Sequence, residues 1–246
     1  MYPMKIEREL VHPAHPNHRL RLEYSETPFD CDGCREAGIG LKYRCTQCSY
    51  NLHKACGSAP RTVSHPFYRR CEFDLHHAPY DSNPRVCDAC GGDIHGFSYH
   101  CRCRDLDLHP CCLNLPQVLN DGSEDALFLS PKLTGSICCY CGGREGFGWG
   151  YRSRSKEYSL HVSCVKKMLV ERWLASYFKV DDKRVRELHT KIPRLNSGVG
   201  KMVTNNRNGL GKYGEIAGGV LRLVVSAVLG DPTSIIAGVI RGLVSL

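Results

Sequence analysis

The sequence predicts a row of small α+β modules stapled by metal ions, followed by two segments of different character, rather than one large domain. The chain has 246 residues, with 16 cysteines and 12 histidines. All of the cysteines lie between Cys31 and Cys164. A Cys-x2-Cys pair followed by His-x2-Cys recurs with a period of roughly 50 residues, which indicates a tandem repeat. The chain after Cys164 therefore has to fold by different means.

The first repeat contains eight candidate metal ligands. Two cysteine pairs with two-residue gaps are followed by His-x2-Cys, and one histidine stands on each side of this core. Thiolates and imidazoles at these spacings suit tetrahedral zinc. Eight ligands are enough for two closed sites, and they are Cys31, Cys34, Cys45, Cys48, His53 and Cys56, with His18 upstream and His65 downstream. A segment this small cannot form a stable hydrophobic core without metal. We therefore expect it to fold only as zinc binds.

The ladder H-x12-C-x2-C-x10-C-x2-C-x4-H-x2-C resembles the zinc-binding C1 domain of protein kinase C, and more closely its divergent plant version, the cysteine/histidine-rich C1 family. The sequence segments HPNHRLRL, YNLHKAC and DLHPCCLNLP are also similar to the plant version. The resemblance implies two interleaved sites. One ion would be held by Cys31, Cys34, His53 and Cys56, and the other by His18, Cys45, Cys48 and His65.

The repeats predict three modules of this divergent C1 type, at 12–65, 66–120 and 127–178. In the second module Cys87, Cys90, His109 and Cys112 reproduce the first set of ligands. Its other set is degraded to Cys71, Cys101 and Cys103, and the fourth ligand is open among Cys111, His100, His76 and His77. The third module keeps Cys138, Cys141, His161 and Cys164, while Ser153 and Lys156 replace its second cysteine pair. The sequence thus predicts four zinc ions, or five if the second module completes its second site.

Short strands are expected in GIGLKYRC, SYNLH and GFGWGYR, and a short helix at each His-x2-Cys. Trp149 is expected to fill the third module's core. After Cys164 the apolar spacing of Val165, Met168, Leu169 and Trp173 predicts a longer terminal helix. Residues 179–213 form a basic linker, with nine lysines and arginines against three acids between Lys179 and Lys212.

Residues 214–246 form a glycine-rich apolar tail. Two apolar runs of about a dozen residues flank Asp231-Pro232, which predicts a helical hairpin. Neither run reaches the ~20 residues needed to span a bilayer. Three interpretations stay open: a hairpin in a membrane interface, self-association through small-xxx-small spacings, or packing on the zinc modules. The net charge of +8 and the basic linker favour an anionic membrane surface as one partner of 179–246.

The start of the chain has no apolar run for export, and there is no N-x-[ST] acceptor, so we expect reduced cysteines in the cytoplasm. The segment VLGDPTSIIAGVI resembles the tail of a plant member of the family. That resemblance implies peripheral association with endomembranes, prevacuolar or vacuolar, and a role in plant development. The nucleus is the alternative location.

Zinc with four protein ligands has no open position, so these sites predict structure and not catalysis. The sequence shows no carboxylate pair, nucleotide loop or nucleophile elbow. We therefore expect a non-enzymatic adaptor or signalling protein whose partners are other proteins. A thiol-disulfide oxidoreductase and a nucleic-acid-binding zinc protein are the alternatives. Nucleic acid is less favoured because the basic residues gather in the linker and are not interleaved with aromatics. The lipid loop of the kinase relatives is shortened here, so binding of their lipid messenger is not expected.

Overall fold

The structure is a computed structural model that describes residues 7–79, 83–119, 126–143, 147–155 and 159–167, apart from the side chains at 26 and 27. The linker at 179–213, the tail at 214–246 and most of the expected terminal helix lie outside the described residues. Among the described residues, no helix has the length and apolar character to cross a membrane. The described part is mostly short strands, with few and short helices.

Three antiparallel sheets of four strands follow one another along the chain. The first contains β1 (Glu9–His12), β2 (His15–Asp30), β3 (Ala37–Cys45) and β4 (Asn51–His53). The second contains β5 (Thr62–Val63), β6 (Phe73–His76), β7 (Ser98–Cys101) and β8 (Leu106–Leu108). The third contains β9 (Val118–Leu119), β10 (Leu127–Ser130), β11 (Gly150–Ser153) and β12 (Ser159–His161). In each sheet the strands lie side by side in chain order.

The helices are single turns placed where the His-x2-Cys motifs end. α1 spans Lys54–Gly57 with His53 as its N-cap residue, and α2 spans Pro110–Leu113 with His109 in that position. A 3-10 turn at Pro66–Tyr68 follows the first sheet. Residues 162–167 are helical, so the helix after the third motif begins before Val165. The helices serve to bring the last cysteine of each motif back toward its histidine.

A tyrosine lies at the centre of each sheet. Tyr43, Tyr99 and Tyr151 are at most 1 % exposed. Each tyrosine hydroxyl donates to a backbone carbonyl just before the first strand of its own sheet: Glu7 at 2.9 Å, Pro60 at 2.6 Å and Pro116 at 2.8 Å. Buried polar groups need such partners, so these bonds fix the entry of the chain into each sheet.

The described residues divide into two compact units. The first comprises residues 7–79, 83 and 94–114, and the second comprises 84–93 with the described residues from 115 onward. Within the first unit, Phe97 belongs to the apolar cluster of the first sheet, and its backbone N–H donates to the carbonyl of Gly33 at 2.8 Å. Within the second unit, the backbone N–H of Trp149 donates to the carbonyl of Ala89 at 2.8 Å. Gly33 and Ala89 each lie two residues after the first cysteine of a Cys-x2-Cys pair, so an aromatic residue covers each of these turns.

Candidate metal centres

The first cluster contains Cys31 and Cys34 from the loop before β3, His53 from the end of β4 and Cys56 from α1. Its four ligand atoms lie within 4.8 Å of one another, and all four residues are buried. The Nδ1 atom of His53 is 3.3 Å from Cys34 Sγ and 3.8 Å from Cys56 Sγ. The Nε2 atom of His53 lies 3.3 Å from the carbonyl of Ala37, which holds the ring with Nδ1 toward the sulfurs. The fourth member is Cys31, whose sulfur accepts from the N–H of His53 at 3.3 Å.

The third repeat builds the same arrangement in the second unit. His161 Nδ1 is 3.5 Å from Cys141 Sγ and 3.6 Å from Cys164 Sγ, and Cys138 completes the group. Cys141 is exposed and Cys164 is partly buried, so this cluster is the more open of the two. The residues predicted for the second repeat are all buried, but they are divided between the two units: Cys87 and Cys90 lie in the second unit, and His109 and Cys112 lie in the first.

The Cys-x2-Cys turns share one backbone feature. The residue four positions after the first cysteine donates its N–H back to that cysteine's carbonyl, at 2.9 Å for Arg35, 2.7 Å for Gly91 and 2.8 Å for Gly142. All three have a positive φ, of 65°, 70° and 69°. This left-handed step turns the chain sharply enough to aim both sulfurs at one point. Glycine adopts it without strain, whereas Arg35 carries the cost of a side chain.

The second site of the first repeat differs from the expectation at one ligand. The structure groups His15, His18, Cys45 and Cys48. Cys48 Sγ is 3.4 Å from His15 Nε2 and 3.8 Å from His18 Nδ1. His15 also stacks on Tyr50, with ring centroids 4.4 Å apart and planes 6° apart. The site therefore has two histidines from β2, both upstream of the cysteines.

His65, which the sequence predicts as a ligand, lies outside that group. It is buried, and its Nδ1 accepts from the N–H of Phe67 at 3.3 Å as the cap of the 3-10 turn. Burial lowers the pKa of His65 to about 4, so the ring is neutral at physiological pH. His15 was not among the predicted ligands. The signal for it was the presence of two histidines in HPNH, but their spacing alone does not tell which of them the strand aims at Cys48.

In the second repeat, Cys71, Cys101 and Cys103 come together as a group of three. Cys103 Sγ is 3.1 Å from Cys101 Sγ and 3.4 Å from Cys71 Sγ. Cys71 and Cys101 are buried, whereas Cys103 is exposed. No fourth histidine, cysteine or acidic residue joins them in the part of the chain that the structure describes.

The close approach of thiols and imidazoles changes their acidity. The hydrogen bond from Cys34 lowers the pKa of Cys31, and the one from Cys141 lowers the pKa of Cys138. Hydrogen bonds to Cys138 and Cys141 raise the pKa of His161 to about 9. The Cys31 and Cys138 sulfurs thus give up their protons readily, and the His161 imidazole shares a proton with the sulfurs of its cluster. Zinc binds the deprotonated forms of both groups, so it replaces these shared protons when it enters.

Residues 13–57 match the family model described as C1 domain. The matched range contains both ligand groups of the first repeat, from His15 to Cys56. Searches of curated proteins and of solved structures found no match to this chain.

C1 domains bind zinc, and the donor sets fit that metal. Within single units, the Cys31 and Cys138 groups each offer three sulfurs and one nitrogen, and the His15 group offers two of each. Soft thiolates with imidazole at tetrahedral spacing are typical of zinc, and the burial of most of these sulfurs suits a structural ion. The protein is therefore a zinc-binding, zinc-finger protein rich in cysteine and histidine, with a C1 domain at its amino-terminal end.

Proposed function

We propose that the chain is a non-enzymatic adaptor, in which zinc ions hold small modules rigid so that their outer surfaces bind other proteins. The observation that carries this proposal is the closure of the Cys31, Cys34, His53 and Cys56 group, in which four protein atoms surround the metal position and all four residues are buried. An ion so enclosed has no place for a substrate or a reactive water. The ion therefore contributes to the free energy of folding, and the surfaces of the modules bind the partners.

The described surface supports binding through apolar side chains. Ile137 and Phe147 in the second unit are 47 % and 57 % exposed, and Val11 in the first unit is 53 % exposed. Large apolar side chains in water are favourable to bury against a partner. We further propose that the second and third repeats are divergent C1 modules like the first. Their support is the repeated strand order and the repeated tyrosine and ligand positions.

The finer proposal concerns location. The tail sequence VLGDPTSIIAGVI resembles that of the Vacuoleless Gametophytes protein, which supports a plant, cytoplasm-facing protein held at endomembranes and acting in vacuole formation or reproductive development. The basic linker supports attraction to an anionic membrane surface through residues 179–246. The same tail supports self-association as an alternative way of holding partners together.

Affinity capture with the zinc-loaded full chain tests the adaptor proposal. We expect a defined set of proteins to be retained by the intact chain and released when a chelator removes zinc. A double change of Ile137→Ser and Phe147→Ser should lower capture without lowering the zinc content, whereas Val86→Ser, at another exposed apolar position, serves as the matched control. Capture that is equal before and after chelation would reject the proposal, because binding would then not need the folded modules.

Fractionation of cells tests the location. Deleting residues 214–246 should move the protein from the membrane pellet to the soluble fraction. A full-length variant with leucine in place of Gly214, Gly218, Gly238 and Gly242 is the control, since it keeps the apolar character and blocks close helix contact. If that variant stays in the pellet, membrane insertion is supported. If it becomes soluble, self-association is supported instead. An unchanged distribution of the deletion variant would reject both.

A further inference from the structure

The group of Cys71, Cys101 and Cys103 differs from the four-ligand groups within single units in both the number and the kind of donor. It offers three sulfurs and no nitrogen, with sulfur separations of 3.1 and 3.4 Å. The sulfurs come from two places: Cys71 precedes β6, and the other two lie at the end of β7 and in the turn after it. Three converging thiols are enough to hold zinc, but a tetrahedral ion requires one more ligand.

The residues nearest in sequence that have the chemistry of a fourth ligand lie outside the three-sulfur group. His100 Nδ1 lies 3.2 Å from Asp107 Oδ1. His77 packs against Phe97, with ring centroids 4.7 Å apart. Cys111 hydrogen-bonds Cys34 in the first cluster. His76 lies beside the His100 ring, with centroids 6.2 Å apart. None of the four belongs to the three-sulfur group in the described residues.

Among cysteines and histidines, the remaining sequence leaves one candidate. All 16 cysteines are described, and the one histidine outside the described residues is His189. The group is also open to solvent on the side of Cys103, which is exposed. A metal ion held by these three sulfurs is therefore accessible to a donor that is not part of the module.

The charge around the group favours an anionic donor. Arg69 and Arg70 directly precede Cys71, and Arg102 and Arg104 flank Cys103. All four arginines are exposed, and none makes an ion pair with another described residue. A divalent ion with three thiolates has a net charge of −1, and a fourth thiolate makes it −2. Four guanidinium groups nearby offset that charge and attract anions from solution.

We propose that Cys71, Cys101 and Cys103 hold a zinc ion in an open site whose fourth ligand is an exogenous thiolate, from a small thiol or from a cysteine of another protein. Binding exchanges a water molecule for the thiolate, and the thiol proton passes to solvent. The three protein sulfurs keep their bonds to the metal throughout. This inference stands apart from the adaptor role, since a ligand can bind the ion whether or not the module surfaces have partners.

Cobalt substitution of the full chain tests the open site. Cobalt(II) takes the same tetrahedral sites, and its visible absorption bands report a change of ligand at the metal. Adding the monothiol N-acetylcysteine to the cobalt-loaded protein should change the spectrum until one equivalent has bound. The Cys103→Ser variant should lack the change and bind one fewer metal ion. Cys139→Ser removes a thiol outside every ligand group, so it should respond as the unchanged chain does.

Two of the neighbouring arginines test the role of charge. Changing Arg102→Gln together with Arg104→Gln should weaken thiol binding by roughly three- to tenfold while the metal content stays the same. An equal affinity in this variant would overturn the choice of an anionic donor. A spectrum that responds to imidazole and not to the thiol would overturn it as well.

Two outcomes would overturn the open site itself. One is a cobalt-loaded chain whose spectrum does not change with the thiol. The other is a His189→Ala variant whose cobalt spectrum differs from that of the unchanged chain before any thiol is added, because the fourth ligand would then belong to the chain. Both measurements use the intact protein, and neither depends on whether the Cys103 variant folds normally.

Discussion

Tyr43 of β3 lies directly opposite Leu52 of β4, and Leu52 is followed at once by the ligand His53. The same relationship recurs between Tyr99 and Leu108, next to His109, and between Tyr151 and Leu160, next to His161. The pair packs in the core, so the register that buries the tyrosine also sets the position of the histidine. The metal site and the core are therefore aligned by a single strand pairing in each sheet.

The first prediction concerns the three tyrosine hydroxyls. Replacing Tyr43, Tyr99 or Tyr151 by phenylalanine leaves a backbone carbonyl without its donor and should lower the free energy of unfolding by about 1 kcal/mol in each case. Denaturant unfolding of the zinc-loaded chain measures this. Tyr50→Phe is the control, since the Tyr50 hydroxyl makes no hydrogen bond to another described residue and the stacking on His15 is kept. A loss as large in Tyr50→Phe would contradict the role of the hydroxyls.

The second prediction concerns Gly148, which lies against the turn between Cys87 and Cys90. Gly148 has a φ of +82°, and an added Cβ would overlap the carbonyl of Ala89. Gly148→Ala should therefore destabilise the protein by about 1–3 kcal/mol more than backbone strain alone accounts for. Gly135 has a φ of +74° with nothing within 4 Å of an added Cβ, so Gly135→Ala measures the strain by itself. Thermal unfolding of the two variants gives the comparison, and equal losses would show that the overlap is relieved without cost.

The third prediction separates His15 from His65. His15→Ala should reduce the zinc bound per chain by one equivalent after dialysis against a weak chelator, because the second site of the first repeat is left with three ligands. His65→Ala should keep every equivalent, although it loses the cap of the 3-10 turn. Elemental analysis of metal and sulfur gives the ratio. The reverse result would restore His65 as the ligand and remove His15.

The fourth prediction is a pH dependence. The folded-state pKa of His65 is about 4, against 6.5 for the ordinary residue, because burial disfavours the charged ring. Between these values the unfolded chain binds a proton that the folded chain does not. The contribution of neutral His65 is thus complete above pH 6.5 and is lost as the pH falls toward 4.

The His65→Asn variant tests this dependence. Asparagine keeps an acceptor for the Phe67 N–H and has no charge to gain. Unfolding in excess zinc, followed from about pH 7 to about pH 5, should show a shallower loss of stability in the variant than in the unchanged chain. The other acid-sensitive groups are common to both proteins and cancel in the difference. Parallel curves would mean that His65 does not contribute to the acid sensitivity.

The sequence predicted those features that local spacing determines. The Cys-x2-Cys turns need only a short left-handed step, and the His-x2-Cys motif needs one helical turn after a strand, so their ligand groups follow from the chain itself. Alternation in GIGLKYRC likewise indicated the strand that became β3. The position of His15 was missed because it depends on the register of β2 against β3, which no local pattern sets. The covering of Gly33 by Phe97 was missed for the same reason, since the two residues are far apart in the sequence.

The contact between Phe97 and Gly33 has a consequence for how the protein is made. Gly33 is synthesised well before Phe97. The Cys31-x2-Cys34 turn that contains Gly33 needs only about the next two dozen residues to bring all four ligands of the Cys31 cluster together. The Phe97 ring then meets a surface that is already organised, and the backbone of Trp149 likewise bonds to the earlier Ala89 turn. Assembly of this kind runs in the direction of synthesis and requires a steady supply of metal while translation is still under way.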